Sequence, residues 1–320
     1  MAIQSIKLKP GINREGTRYT TEGGYYDGDK IRFRQGTPEK IGGWQQISTS
    51  TFEGVCRSLH NWVTLGGQNL IGVGTHLKFY ISNVGNYNDV TPIRATVSLS
   101  NPFTTVSGSA VVTVTDANGG YQDGDYVTFS NASAVGGLTI DGEFVVSLSV
   151  TTAAGTFTIT AASNASSSAT GGGTVSAAYQ INVGNPFAVP ITGWGAATWG
   201  QGTWGVGESS TTAIRFWSQS NFGEDLVFGN DGGSIYYWDA TDGVSTRAVE
   251  LSTLSGASDV PVVQNLILVS DISRFVFCFG TNAIGSSSID PTLLRWSDQE
   301  DAANWTPSAT NQAGSLRLSR

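Results

Sequence analysis

The sequence predicts an all-β protein built around a β-propeller, and three observations lead to that expectation. The chain of 320 residues contains 41 glycines and nine tryptophans, and its valine, threonine and aromatic runs are bounded by turn residues. No stretch sustains the apolar period of about 3.6 residues that marks a helix. Three stretches repeat one plan, in which an apolar strand passes through a glycine turn into a second strand rich in aromatic residues.

The three repeated stretches are residues 70–74 leading to 77–81, 226–229 leading to 235–238, and 275–280 leading to 293–296. A repeated hairpin cannot bury its apolar face alone, so the copies must stack or fan around an axis. Gly229 and Gly280 are 51 residues apart, close to the roughly 40 to 50 residues of a four-stranded blade. We expect blades to begin near residues 55, 213 and 262.

Three blades are fewer than the four or more that usually close a propeller. The sequence therefore predicts a propeller that is incomplete within this chain. Two explanations stay open: the natural product extends beyond residue 320, or another segment completes the ring.

A different composition marks an inserted module at residues 93–179, which contains no Trp, Cys, His or Lys. Alternating strands at 111–115, 126–129, 143–148 and 156–160 predict a small β-barrel or β-sandwich. The predicted organisation is an N-terminal arm with the first propeller part at 1–92, the inserted β domain at 93–179, and a Gly/Trp-rich loop with further blades at 180–320.

The charge pattern limits the classes of function. Charged residues make up 13% of the chain, about half the usual share, as in a subunit packed among neighbours or in a secreted protein of low charge. The net charge of −8 argues against a protein that grips nucleic acid, because such binding depends on Lys and Arg that replace counterions. Residues 1–40 carry a net charge of +3, so the remaining 280 carry −11. A passage lined by such a surface would let DNA slide.

The N-terminus lacks the apolar core of a signal peptide, and no apolar run reaches the roughly 20 residues that span a membrane. We expect a chain made in the cytoplasm. Cys56 and Cys278 lie alone in apolar strands without metal-ligand spacing, which predicts small core residues.

A basic strand face at Arg32 and Arg34 is the first candidate contact. The strand at 31–34 follows Asp27-Gly28, a dipeptide typical of a hairpin turn. Two interpretations stay open: a solvated edge strand protected by charge, or an inter-subunit contact with an acidic neighbour.

A second candidate contact is formed by Trp194, Trp199 and Trp204, which lie five residues apart among glycines. This spacing fits neither a helix nor a strand. Packing along an irregular loop, contact between subunits and binding of a flat sugar face are the three interpretations.

Two stretches carry a resemblance to a known family. The first combines KPGIN at 9–13, YYDGDKIRFR at 25–34 and KIGGW at 40–44; the second combines LRWSDQE at 294–300 and NWTP at 304–307. They resemble the tail nozzle proteins of short-tailed bacteriophages, a family also called packaged-DNA stabilisation proteins. Together with the blades, the resemblance covers about two thirds of the chain and excludes residues 93–179.

The resemblance implies a virion structural protein in the phage tail. It implies a hexameric ring of propeller subunits below the portal and adaptor proteins, forming a conduit that retains the packaged DNA and passes it at ejection. Adaptor proteins, and tail fibres as a further candidate, are the implied partners, and contact with double-stranded DNA is passive. No catalytic residue, cofactor or metal is carried over.

Two alternatives remain from the residues. A propeller-type glycosidase would use two carboxylates such as Asp239 and Glu250, and a glycan-binding tail adhesin would use Trp194, Trp199 and Trp204. The two histidines, His60 and His76, lie on predicted strands outside any recognisable metal or triad motif. We therefore expect a protein that is not an enzyme.

Overall fold

The computed structural model describes residues 8–20, 22–43, 46, 48–117, 120–148, 155–184 and 214–318. Their regular structure consists of β-strands and two short 3-10 turns, Ala240–Asp242 and Leu251–Thr253. The all-β prediction is confirmed. The chain divides into two compact units, residues 1–49 and residues 50–320.

The described residues of the first unit form an antiparallel hairpin of β1 (Ile31–Arg34) and β2 (Thr37–Lys40). Its turn is Gln35-Gly36, where both residues have positive φ, 50° and 80°, as a two-residue hairpin turn requires. The expectation that Asp27-Gly28 forms the hairpin turn is therefore wrong. Asp27 instead accepts a hydrogen bond from the Gly28 N–H and pairs with Arg14.

Three four-stranded antiparallel sheets of the second unit each follow the order of the sequence. Blade 1 contains β3 (Cys56–Val63), β4 (Asn69–Thr75), β5 (Phe79–Asn83) and β6 (Asn86–Asp89). Blade 2 contains β15 (Trp217–Phe222), β16 (Asp225–Asn230), β17 (Tyr236–Trp238) and β18 (Val249–Glu250). Blade 3 contains β19 (Leu266–Val269), β20 (Val276–Asn282), β21 (Ile289–Trp296) and β22 (Gly314–Arg317). These bounds agree with the blade starts predicted near 55, 213 and 262.

The blades stack face to face, and their apolar cores lie between consecutive sheets. One core joins blades 1 and 2 through residues such as Trp62, Phe79 and Phe228. The other joins blades 2 and 3 through residues such as Val227 and Ile267. The first strands β3, β15 and β19 lie next to one another, as the inner strands of propeller blades do. We call the side of a blade that faces the following blade its forward face, and the opposite side its rear face.

Two of the repeated glycines lie where these blades touch. A Cβ at Gly74 would approach the Trp217 ring of the next blade to 2.4 Å, and one at Gly229 would lie 2.8 Å from Ile267. Gly280 differs, because it has a positive φ of 59° at a shift in strand register. Gly74 and Gly229 thus allow neighbouring blades to approach closely, whereas Gly280 allows a backbone conformation that other residues rarely adopt.

The inserted module is a sandwich of two four-stranded sheets. Its strands are β7 (Ile93–Ser100), β8 (Phe103–Thr105), β9 (Val111–Thr115), β10 (Tyr126–Ser130), β11 (Gly142–Val145), β12 (Thr156–Thr160), β13 (Ala169–Gly171) and β14 (Thr174–Gln180). The strand orders in the two sheets are β11-β10-β14-β7 and β12-β9-β8-β13. The core between the sheets includes Phe103, Phe129 and Phe157, all essentially inaccessible to solvent. Of the two folds predicted for this segment, the sandwich is the one formed.

Candidate functional site

The basic hairpin face is partly neutralised by its own partner strand. The Arg32 Nε donates to Glu39 Oε1 across the hairpin at 2.6 Å, and both side chains remain accessible. Arg34 lies opposite Thr37 in the register and is exposed. Of the two arginines predicted as a contact, Arg34 therefore offers the less compensated charge within the described residues.

The predicted tryptophan contact, Trp194, Trp199 and Trp204, lies outside the described residues. The chain on either side of residues 185–213 is held in place. The Arg215 Nη1 donates to the Asn182 carbonyl at 3.0 Å, and Asn230 Nδ2 donates to the same carbonyl at 3.0 Å. The three interpretations of these tryptophans stay predictions.

An ion cluster centred on the buried Lys78 lies where the inserted module meets blades 1 and 2, and the other charged side chains of the cluster are 22% to 58% exposed. The Lys78 side chain, 5% exposed, extends from the turn between β4 and β5. Its Nζ lies 3.4 Å from Glu53 Oε2 and 3.5 Å from Asp89 Oδ2, and it also pairs with Glu143 of the module. Arg247, which precedes β18, adds a second cation 3.1 Å from Asp89 Oδ2.

Side chains of the inserted module surround the part of Lys78 that faces the module. The Tyr126 ring centre lies 4.5 Å from the Lys78 Nζ, a cation–π distance, and Gln180 Nε2 donates to Glu143. Burial disfavours the charged ammonium, but the hydrogen bond that the Lys78 Nζ donates to Glu143 and the charge of Asp89 together raise the pKa of Lys78 above its ordinary value. The cluster therefore holds a charged lysine at neutral pH.

Sequence analysis did not identify this cluster. Its members come from positions 53, 78, 89, 143 and 247, which no motif or spacing connects. One signal was available: Lys78 stands between Leu77 and Phe79 within an apolar repeat, and it is the last lysine of the chain. A lysine at such a position is buried only when it is paired.

Residues 294–300 and 304–307, the second stretch that resembles nozzle proteins, contribute buried side chains that hold blade 3 together. Arg295 is 1% exposed, and its guanidinium donates to the backbone carbonyls of Asn282 and Asp259. The same group lies 5.9 Å from the ring centre of Trp305, whose Nε1 donates to the Ala302 carbonyl at 2.7 Å. These residues therefore act as scaffold, since their polar groups are directed inward.

The carboxylates named for a glycosidase have local structural partners. Asp239 Oδ1 accepts from the backbone N–H and the hydroxyl of Thr241, which caps the 3-10 turn Ala240–Asp242. Glu250 ends β18 and precedes the turn Leu251–Thr253. Asp239 in particular is used as a helix-type cap, which accounts for its presence without catalysis.

The histidines and cysteines also have structural positions. His60 stacks on Trp62, and its Nε2 lies 3.2 Å from Asn221 Oδ1 of blade 2. His76 Nδ1 accepts from the Val55 N–H at 2.9 Å, and burial lowers the pKa of its ring. Cys278 is inaccessible in the core between blades 2 and 3, and both cysteines are free thiols. Among the described residues, no group of three or more His, Cys, Asp or Glu is arranged to hold a metal ion.

Two sheet faces at the ends of the blade stack expose apolar side chains. On the forward face of blade 3, Leu266, Leu268 and Leu316 are about half exposed, at 50%, 51% and 52%. On the rear face of blade 1, Leu59 is 67% and Val63 57% exposed. On blade 1 the exposed Asn61 lies between Leu59 and Val63 on the same face, so the more continuous apolar surface is that of blade 3.

No protein-family model matches the chain, and no curated protein matches it. Among solved structures, the phage phi92 endosialidase aligns at 16% identity with a TM-score of 0.25, over 88% of this chain and 40% of that one. This chain spans less than half the length of that protein, and the TM-score is too low to support an argument. In the described part of the chain, no helix has the length and apolar character needed to cross a lipid bilayer.

Proposed function

We propose that this chain is a structural subunit of the tail of a short-tailed bacteriophage, a component of the nozzle ring through which packaged DNA leaves the particle. One observation carries the proposal: both stretches that resemble nozzle proteins lie on formed structural elements. The first includes strand β1 and the last residue of β2, Lys40, and the second includes Arg295 and Trp305, whose guanidinium and ring centre lie 5.9 Å apart in blade 3.

The proposed role is mechanical and electrostatic, without catalysis or a cofactor. A conduit must assemble tightly yet bind its polyanionic contents weakly. Low charge and open apolar sheet faces suit assembly, and a net charge of −8 suits passage, because few cations are present to replace DNA counterions. Hexameric stoichiometry and contact with adaptor proteins belong to this proposal.

Localisation in the virion tests the proposal directly. Antibodies raised against the purified chain and coupled to gold should label intact particles at the tail tip in electron micrographs. Gold label on the capsid would contradict a nozzle role. Particles that carry no label at the tail, although mass spectrometry of disrupted virions detects the protein, would also contradict it.

Weak affinity for DNA is a second expected property. In an electrophoretic mobility assay with double-stranded DNA at about 150 mM salt, the purified chain should leave the DNA unshifted at about 100 μM protein, a concentration at which non-specific binders with dissociation constants of about 1 to 100 μM do bind. A salt-sensitive shift would contradict a non-adhesive conduit.

The basic hairpin face is proposed to contact an acidic neighbour in the ring. Changing Arg32 and Arg34 together to Glu should reduce incorporation into particles, measured by quantitative mass spectrometry of purified virions. The matched control is Arg14→Glu, because Arg14 is an exposed arginine that pairs with an aspartate elsewhere in the same unit. Unchanged incorporation of the double variant would remove the contact role.

A further inference from the structure

Two short connections join the inserted module to the blades. The first, residues 90–92, runs from β6 of blade 1 into β7, and the second, residues 181–184, follows β14. Boundaries between domains usually fall in exposed, flexible linkers that few contacts cross, so relative motion is the ordinary expectation. The two connections do not have that character, because Val90 is 0% exposed and Ile181 and Val183 are each 7% exposed.

The buried side chains of the connections are part of the core between blades 1 and 2. Val90, Ile181 and Val183 belong to the same apolar cluster as Trp62 of blade 1 and Trp238 of blade 2. The module therefore has a core of its own, but its connections fill space between the blades. Because packed interiors contain few voids and transmit strain, neither connection can swing without opening the contact between blades 1 and 2.

Backbone hydrogen bonds hold the first connection to both blades. The Val90 N–H donates to the Phe79 carbonyl of blade 1 at 3.0 Å, and the Ala248 N–H, next to β18 of blade 2, donates to the Val90 carbonyl at 3.0 Å. The Arg247 Nη1 donates to the Thr91 carbonyl at 2.7 Å. A displacement of this connection therefore breaks bonds to both blades.

The second connection is bonded to blade 2 and to the module. The Arg215 Nη1 and the Asn230 Nδ2 both donate to the Asn182 carbonyl at 3.0 Å. The Asn182 Nδ2 donates to Asp125 Oδ1 of the module at 3.2 Å. Asn182 thus fixes the base of the module against blade 2.

Arg247 is the side chain at which the module and both blades meet. It precedes β18 of blade 2, and its Nη2 lies 3.1 Å from Asp89 Oδ2 at the end of β6 in blade 1. The same Nη2 lies 3.9 Å from Glu143 Oε1 of the module. A shift of the module therefore moves Glu143 relative to Arg247, and a shift of blade 2 withdraws Arg247 from the first connection.

We propose that the inserted module is a rigid extension of blades 1 and 2, so that a force applied to the module is transmitted to the contact between these blades. The module then works as a lever rather than as a flexible appendage. A partner that displaces the module acts at the same time on the packing of the propeller. This role does not depend on where the protein lies in a virion.

Distance measurements between two spin labels in the full chain test the rigid attachment. Nitroxides are attached at Thr160→Cys, on strand β12 of the module, and at Ser252→Cys, in the turn after β18, both exposed positions. Cys56→Ser removes one native thiol, and Cys278, 0% exposed, is not labelled. Double electron–electron resonance should give a single narrow distance peak. A broad or multi-peaked distribution overturns the proposal.

The coupling to the blades is tested by removing contacts from blade 2. Arg247→Ala should replace the narrow peak by a broad distribution, and in hydrogen-exchange mass spectrometry it should remove protection from peptides that contain residues 90–92. Arg215→Ala, which removes one bond to the second connection, should broaden the peak less. It also provides the test should Arg247→Ala fail to fold, which circular dichroism checks.

Arg317→Ala is the matched control. Arg317 is an exposed arginine that pairs with Asp290 within blade 3 at 2.7 Å, so its loss should leave the distance peak and the exchange of residues 90–92 unchanged. An unchanged narrow peak in Arg247→Ala would overturn the coupling. Equal broadening in Arg247→Ala and Arg317→Ala would also overturn it, because the effect would then not come from the connections.

Discussion

The inserted module and the blades solve the problem of burying apolar surface in opposite ways. The module places its core between its own two sheets, around residues such as Phe103 and Phe157. Each blade is a single sheet, so the blade cores lie between neighbours and include residues such as Trp238 and Trp305. The module is therefore expected to fold as an independent unit, whereas a blade depends on the blade beside it.

Truncating one buried aromatic side chain in each region should distinguish independent folding of the module from the mutual dependence of the blades. Trp238 and Phe157 are 1% and 0% exposed, and Trp→Ala or Phe→Ala at such sites costs about 3 to 5 kcal/mol. In hydrogen-exchange mass spectrometry, Trp238→Ala should accelerate exchange in blades 1 and 2 together, since its ring packs edge to face on Trp62. Phe157→Ala should accelerate exchange in the module. Equal acceleration everywhere after either change would contradict separate units.

The ion cluster that joins the regions gives the next largest effect. Lys78→Met leaves Glu143 and Asp89, which are 29% and 22% exposed, without their main cation, and breaking a fully buried pair costs about 3 to 5 kcal/mol. We expect about 3 kcal/mol in the free energy of unfolding by urea, because Arg247 continues to pair with Asp89.

Two further variants control this result. Lys78→Met with Glu143→Gln should recover part of the loss, since the unpaired charge is removed with its partner. Arg32→Ala breaks an exposed ion pair and should cost at most about 1 kcal/mol. Equal losses from Lys78→Met and Arg32→Ala would contradict the burial of Lys78.

The blade contact itself is probed at its glycine. Gly74→Ala places a methyl group against the Trp217 ring at 2.4 Å, and overpacking of this kind costs about 1 to 3 kcal/mol. Gly66 is the matched control, because its added Cβ meets a single atom at 3.7 Å and its φ is not positive. Urea unfolding should therefore show Gly66→Ala near the wild type. Equal stability of the two variants would mean that the blades do not pack this closely.

The smallest expected effect is a pH dependence at the junction. Burial raises the pKa of Tyr126 to about 12, with a contribution from Glu53, above its value of about 10 in an unfolded chain. A group with a raised folded pKa contributes stability below pH 10 that is lost as the pH rises through 12. Tyr126→Phe should therefore flatten the fall of the melting temperature between pH 10 and 12. Tyr19→Phe, at a side chain 92% exposed, should leave the slope unchanged.

The sequence predicts local features of this protein better than relations between distant segments. The glycine turns and aromatic strands identify all three blades, because each blade is built from neighbouring strands whose pattern repeats. Strands of the module follow from alternation for the same reason. The hairpin turn was misplaced because Asp27-Gly28 is the stronger turn dipeptide, whereas the structure uses Gln35-Gly36.

Long-range chemistry is the part that the sequence does not predict. Lys78 meets Glu143 across 65 residues, and Arg247 meets Asp89 across 158. Only the stacking of sheets brings these side chains together. Likewise, the residues that flank Arg295 in the LRWSDQE stretch do not predict that Arg295 is buried against Trp305.

The position of the tryptophans has a practical consequence. Trp62 Nε1 donates to the Glu224 carbonyl and Trp217 Nε1 to the Thr75 carbonyl, so each indole bridges one blade to another. The segment 93–179 contains no tryptophan. Tryptophan fluorescence therefore gives no direct signal from the inserted module. A shift in its emission reports on the rest of the chain, including the contacts between blades, without an engineered label.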